Sequence, residues 1–295
     1  MGLTSRCGAI PLAFTLVDTA IQTCYRHPDR RAGVICQRCD RPICPDCMHQ
    51  ASVGFHCPEC TKQGAQKVIS ARSLRPPRPV ATFTLIGINV AVFLLGVGSG
   101  GTTKDSFIGN GGLVSARQGA LAFGVADGEW YRLVSSGFLH VNLLHLAFNM
   151  FVLYRLGQLL EPVVGRGRFV LLYFVAMLGG SLGVMIIDPA SFTVGASGAV
   201  FGLMGVAVAV FRARGISIMD SGLGATILLN LVFTFTVPNI SVGGHVGGLI
   251  VGFFAGWVLT DFGPRVLKDP TLIVGAVAAI GLVAGSASII LAGAG

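Results

Sequence analysis

From residue 81 onward the chain alternates long apolar runs with short polar breaks. Seven runs stand out, near residues 81–97, 134–160, 169–187, 197–211, 222–237, 244–259 and 271–292. Each is an apolar segment that predicts a membrane-spanning helix. Crossing ~30 Å of hydrocarbon takes about 20 residues. Several runs are near the lower limit, and their glycines suit a compact bundle in a locally thinned bilayer. The pattern predicts an all-α polytopic membrane protein, with residues 81–295 as a seven-span body.

Before residue 81 the pattern differs. Residues 8–22 are mildly apolar, but Asp18 interrupts them and Arg6 is a poor basic start for a signal peptide. Residues 1–23 therefore read as a disordered extension. Residues 61–80 carry Lys62, Lys67, Arg72, Arg75 and Arg78 with no acid, and Arg75-Pro76-Pro77-Arg78-Pro79 does not continue a helix. They read as a basic, Pro-containing linker. It either lies on anionic lipid, at about 1 kcal/mol per basic residue, or is a solvated topology signal.

Composition sharpens this division. The chain is 53% hydrophobic and 12% charged with mean hydropathy +0.74, against roughly 25% charged in soluble domains. All eight cysteines lie at or before Cys60, which separates a Cys-rich head from the body. The formal charge of +8 is placed as topology information and is no nucleic-acid signature. Arg155 near the end of run two with Arg166 and Arg168, then Arg212 and Arg214, then Arg265 and Lys268 mark alternate gaps; the gaps after the third and fifth runs have no Lys or Arg, and the long first gap carries Lys104, Arg117 and Arg132. With the basic head, this predicts a cytosolic N-terminus and an outside C-terminus.

Residues 24–60 contain Cys24-x-x-His27, Cys36-x-x-Cys39, Cys44-x-x-Cys47 and Cys57-x-x-Cys60. Four pairs give eight ligands, enough for two tetrahedral zinc ions. Disulfides would need an oxidising compartment, against the predicted cytosolic side. No ligand position is left open, so the two Zn²⁺ are structural, and a segment this short needs metal to fold. Cys7 falls outside the pattern as a free thiol. His49 and His56 are left over, and His56 is an alternative ligand to Cys57. The segment resembles a B-box or similar cross-braced finger. That resemblance implies that the first and third pairs share one ion, and the second and fourth the other.

The predicted orientation starts runs two, four and six on the outer side. Run two opens with His140, Asn142, His145 and Asn149, run four with Ser197, and run six with His245. The body's three His and this Ser then lie at similar depth. A Ser hydroxyl becomes nucleophilic when a base takes its proton, and His is the usual base. Gly198 and Gly202 share a face beside Ser197, and Gly244, Gly248 and Gly252 share another beside His245. Small-xxx-small faces let two helices approach closely. His145 and Asn149, four apart, lie on one face, and the Ser197 amide opens a helix at the positive end of its dipole. These are candidate donors to a developing oxyanion. Taken singly, each has a packing explanation: Asn149 as interhelical glue like Asn89 and Asn230, His245 as a satisfied core histidine. Jointly they point to function, because ionisable groups inside a span are costly.

Other chemistries fit worse. There is no His-Glu-x-x-His for a zinc protease, no pair of Asp inside the spans, and Gly-x-Ser-x-Gly fails at Ala199.

Gly195-Ala196-Ser197-Gly198, His145-Leu146-Ala147-Phe148-Asn149 and His245-Val246-Gly247-Gly248 continuing to Gly252 together resemble the rhomboid family of intramembrane serine proteases. The resemblance covers about residues 81–295. It implies a six-helix core with a seventh C-terminal helix and a Ser197–His245 dyad without an acid. The oxyanion hole it implies consists of His145, Asn149 and the Ser197 amide, and catalysis needs no cofactor. Its implied partners are lipid and single-span membrane proteins, cut near the outer face at helices loosened by small or helix-breaking residues. Glu129-Trp130-Tyr131-Arg132 is similar to the family's Trp-Arg element, although Tyr131 directly precedes Arg132. Phe201 stands where relatives often have a Tyr stacked on the histidine. A zinc head before such a core resembles some bacterial rhomboids, which implies a bacterial plasma membrane. The alternative is a non-catalytic rhomboid-like protein that binds membrane clients and recruits a cytosolic partner through its head. A transporter is a third, weaker option.

Overall fold

The computed structural model describes residues 22–64, 78–98, 107–115 and 124–294 of the chain. The positions of Cys7, Asp18, Lys67, Arg72 and Arg75 lie outside them. The chain divides into two units, before and after Arg75–Pro76.

The head is built from turns. β1 (Val34–Ile35) pairs antiparallel with β2 (Pro42–Ile43), and β3 (His49–Gln50) with β4 (Phe55–His56). A short helix, Pro58–Gly64, follows. Pairing begins at Thr23, which bridges Arg31. The described part of the head thus brackets Cys24 and Cys60, and the stretch read as linker from residue 61 begins inside a helix. Six cysteines and Ile43 are its buried apolar residues among those described. A core that small does not offset the chain entropy of folding.

Among the described residues the body has seven long helices: α1 (Val80–Gly98), α2 (Leu143–Val164), α3 (Arg166–Ile187), α4 (Ser197–Ala213), α5 (Leu223–Thr236), α6 (Val242–Trp257) and α7 (Pro270–Ala294). Five of them, with α6 counted through Val266, are long and apolar enough to cross a membrane, while α4 and α5 are shorter.

The run at 134–160 is not one helix. Arg132–Ser135 forms a helical turn, Ser136–Phe138 a 3₁₀ turn, and α2 starts only at Leu143. Asn142 ends the break by accepting the His145 amide at 2.8 Å, an N-cap that hydrophobicity alone does not reveal. His140 consequently precedes the helix instead of opening it.

Helices α3, α4 and α6 meet on glycine. A Cβ on Gly202 would stand 2.9 Å from the Gly248 carbonyl oxygen, and one on Gly198 3.3 Å from that of Gly244. Side chains at Gly248 and Gly252 would collide with the Gly198 and Gly202 carbonyls. Gly183 and Gly247 of α3 and α6 touch in the same way. Backbone contact this close gives the dispersion gain that holds helices together without a hydrophobic drive.

Gly252→Ala is therefore expected to destabilise the body by roughly 1–3 kcal/mol, the usual overpacking cost. Gly275→Ala on α7, where a Cβ meets nothing within 4 Å, should be neutral or slightly stabilising. Thermal unfolding of both variants in detergent checks the contrast, and equal behaviour would contradict the packing account.

A buried carboxylate fixes α1. Glu161 of α2, 3% exposed, accepts from the Ala81 and Thr82 amides at 2.9 and 2.8 Å and from the Thr82 hydroxyl at 2.7 Å. The negative charge sits at the helix's positive end and satisfies its free amides.

Candidate active site

Ser197 is the first residue of α4, and a set of backbone bonds places the segment that delivers it. Leu113 and Thr193 exchange two bonds of 2.9 and 2.8 Å, and the Gly195 amide donates to Ser136 at 2.9 Å. The segment supplying Leu113 is itself held by Arg132. This buried guanidinium donates to the Gly109 and Gly112 carbonyls at 2.8 Å each and pairs with Glu129 at 2.7 Å. That is the structural work of the Glu129–Arg132 element. Trp130 beside it is exposed.

His145 lies in the first turn of α2 and reaches Gly195. Gly195 has φ +126°, and a Cβ there would be 2.8 Å from His145 Nε2 and 3.7 Å from Ser197 Oγ. Both conditions demand glycine. The two side chains thus flank one point in space. Asn149, one turn on and 4% exposed, donates one amide proton to the His145 carbonyl at 3.0 Å. Among the described residues its second amide proton has no acceptor, and neither has the first-turn amide of Ser197.

His245 lies in the first turn of α6, which Ser241 caps by accepting from the Gly244 amide at 3.1 Å. The ring is 8% exposed. It stacks on Phe201 of α4 with centroids 4.0 Å apart and planes 15° apart. Gly198 and Gly244 carry the helix contact between Ser197 and His245. The structure contains no hydrogen bond between the two side chains. Catalytic bonds often tighten only when substrate binds.

The fourth helix at this site was not singled out from the sequence. Thr234 of α5 places its hydroxyl 2.7 Å from His245 Nδ1. Its one sequence signal is the four-residue spacing from Asn230 in an otherwise apolar run. His140 is 2% exposed with no partner on either ring nitrogen among the described residues, and packs edge-on against His145 at 5.1 Å.

The head holds two compact ligand sets. Cys24, His27, Cys44 and Cys47 form one, and Cys36, Cys39, Cys57 and Cys60 the other, each with ligand atoms within 4.8 Å of one another. The pairs therefore interleave, first with third and second with fourth. Cys57 belongs to the second set, and its neighbour His56 is paired in β4. Each set has the donor types and spacing to hold a metal ion.

Comparison with known proteins agrees with this architecture. A family model described as the Rhomboid domain matches residues 127–262. "Rhomboid protease GluP" of Bacillus subtilis is 35% identical over 221 residues, 72% of this chain and 42% of that protein. "Putative rhomboid protease YdcA" of the same organism is 37% identical over 134 residues, 44% of this chain and 67% of that protein. "RHOMBOID-like protein 5" of Arabidopsis thaliana is 38% identical over 144 residues, 46% of either chain. The match thus spans less than half the length of the first of these relatives.

Proposed function

This chain belongs to the rhomboid family, and on that premise we propose that it is an intramembrane serine endopeptidase. Its substrates are single-span membrane proteins, cut near the outer face of a bacterial plasma membrane. Ser197 is the nucleophile, His245 the general base, and His145, Asn149 and the Ser197 amide the oxyanion donors. The observation that carries this reading is the meeting of Ser197, His145 and the Phe201–His245 stack around the starts of three helices.

The chemistry follows from the groups present. His245 Nε2 takes the Ser197 proton as Oγ attacks the scissile carbonyl. Negative charge on the carbonyl oxygen is met by preorganised donors in a site shielded from bulk water, where such contacts are strongest. The imidazolium then protonates the leaving amine, and water deacylates Ser197 by the same route. A substrate helix that unwinds readily exposes its carbonyl at least cost, so small and helix-breaking residues near the cut favour reaction.

In the head, the two four-ligand sets hold structural Zn²⁺, with no position open for catalysis. The N-terminus is cytosolic and the C-terminus outside, which puts the head where a cytosolic partner meets it. A non-catalytic binder of membrane clients is the second reading. The retained Ser197, His245, His145 and Asn149 favour the enzyme, since binding alone does not require them.

The test is cleavage of a single-span reporter by the full chain in proteoliposomes. Wild type is expected to release two fragments cut near one membrane face. Asn149→Ala should lower kcat roughly 100- to 1,000-fold, the cost of one lost oxyanion donor. An intact reporter with well-folded wild type in several lipids would favour the non-catalytic reading.

A further inference from the structure

We propose that Thr234 is a positioning residue for His245: its hydroxyl accepts from Nδ1–H and so fixes the tautomer that leaves Nε2 free for the Ser197 proton. The proposal deepens the protease reading and rests on it.

A threonine hydroxyl has one proton and two lone pairs. In Thr234 that proton goes to the Asn230 carbonyl four residues earlier, at 2.8 Å. A carbonyl oxygen has no proton to give, so the direction of this bond is fixed. The same Oγ lies 2.7 Å from His245 Nδ1. With its proton committed, it offers Nδ1 a lone pair only, and the ring must supply the proton. A neutral imidazole protonated at Nδ1 has its free lone pair on Nε2. The Nε2–H tautomer would instead leave Ser197 facing a nitrogen unable to take its proton.

The surroundings strengthen this constraint. Thr234 is 2% exposed and His245 8%, so water does not readily replace either partner. Phe201 covers one ring face at 4.0 Å, leaving in-plane rotation as the freedom that Thr234 removes. Thr226, Asn230 and Thr234 are spaced by four along α5, and Asn230 donates to the Thr226 carbonyl at 2.8 Å. This polar line ends at the histidine, while Leu228, Leu229, Val232, Phe233 and Phe235 are exposed. The base on α6 is thus set by a neighbouring helix, and displacement of α5 would release it.

Proton bookkeeping is consistent. Ser197 Oγ–H gives its proton to Nε2 as the O–C bond to the scissile carbon forms. The ring becomes imidazolium with Nδ1–H still bonded to Thr234. The Nε2 proton then leaves with the amine, restoring the original tautomer.

The experiment uses the full chain in lipid nanodiscs with ring-¹⁵N-labelled histidine, and the His245 signals are identified by their loss in His245→Ala. Wild type and Thr234→Ser should carry the neutral-ring proton on Nδ1, and Thr234→Val should give a tautomer mixture. Reporter cleavage by Thr234→Val should fall about 10- to 100-fold in kcat with KM little changed, part of the 100- to 10,000-fold that general-base catalysis contributes. Thr234→Ser should restore most of it, which a simple volume effect would not. If Thr234→Val does not fold, Thr234→Ala takes its place, and the wild-type spectrum decides alone. A wild-type ring protonated on Nε2, or a Thr234→Val with unchanged tautomer and kcat, would overturn the proposal. The expected tautomer shift without cleavage by any variant would support the positioning and defeat the protease reading instead.

Discussion

Ser197→Ala is expected to reduce reporter cleavage to background while leaving the fold intact. Among the described residues the Ser197 hydroxyl makes no hydrogen bond, so its removal breaks none there. The alanine methyl fits the first turn of α4, where alanine is also the best helix former. Chemically the loss is large, because Ser197 Oγ is the hydroxyl beside the point that Gly195 shares with the His145 ring. In soluble serine proteases, removing such a nucleophile costs about 10⁶-fold in kcat. His245→Ala should cost nearly as much, and the double variant little more, since the two act as a unit. Cleavage by Ser197→Ala at a tenth of the wild-type rate or better would assign the nucleophile elsewhere. Thermal unfolding in the same detergent checks that the fold is retained.

Metal removal is expected to have the second large effect, confined to the head. Structural zinc in small domains is worth about 10–16 kcal/mol of apparent binding free energy. The head's own core is six cysteines and Ile43, which does not replace that. Metal analysis should find two zinc ions per chain, and chelation should unfold the head while reporter cleavage persists. Cys36→Ser and Cys24→Ser should each release one ion.

Acid should weaken both sites. Burial raises the thiols of Cys24 and Cys36, but nearby backbone amides outweigh it and bring each down to about 6. A lowered thiol pKa favours the bound form above that value and loses the benefit as pH falls through it. Burial pushes Cys47 up to about 11 and Cys60 up to about 12, so metal must displace their protons. Ion release is therefore expected to grow as pH falls toward and below about 6, because protons compete with the metal for every thiolate. Zinc content measured after dialysis across that range checks the direction, and retention that improves with acid would contradict it.

Much of this was legible in the chain because membrane and metal constraints write themselves plainly. An apolar run has to be a helix where backbone groups find no water, and four C-x-x-C or C-x-x-H pairs leave little other use. The family resemblance rested on motifs in order, and the Rhomboid match over residues 127–262 falls across the same region. Helix boundaries were harder. Hydrophobicity carried run two back to residue 134, because Val134, Phe138 and Leu139 are apolar whether or not they are helical. The break at Leu139–Asn142 is a capping event, and only Asn142 hints at it.

The site was legible where glycine spacing and polar residues in spans coincide, and illegible where it depends on contacts between distant helices. Thr234 reads as an ordinary threonine in an apolar run, and only the packing of α5 against α6 brings it to His245. The Gly195 requirement is similar. Its sequence context suggests a small residue, but the need arises from the His145 ring 50 positions earlier.

The most direct measurement of the central claim is labelling of the detergent-solubilised full chain with a serine-reactive fluorophosphonate. Wild type is expected to label at Ser197, with labelling lost in Ser197→Ala and in His245→Ala. Absence of labelling in well-folded wild type, repeated in lipid, would contradict a His-activated serine and leave the non-catalytic reading in its place.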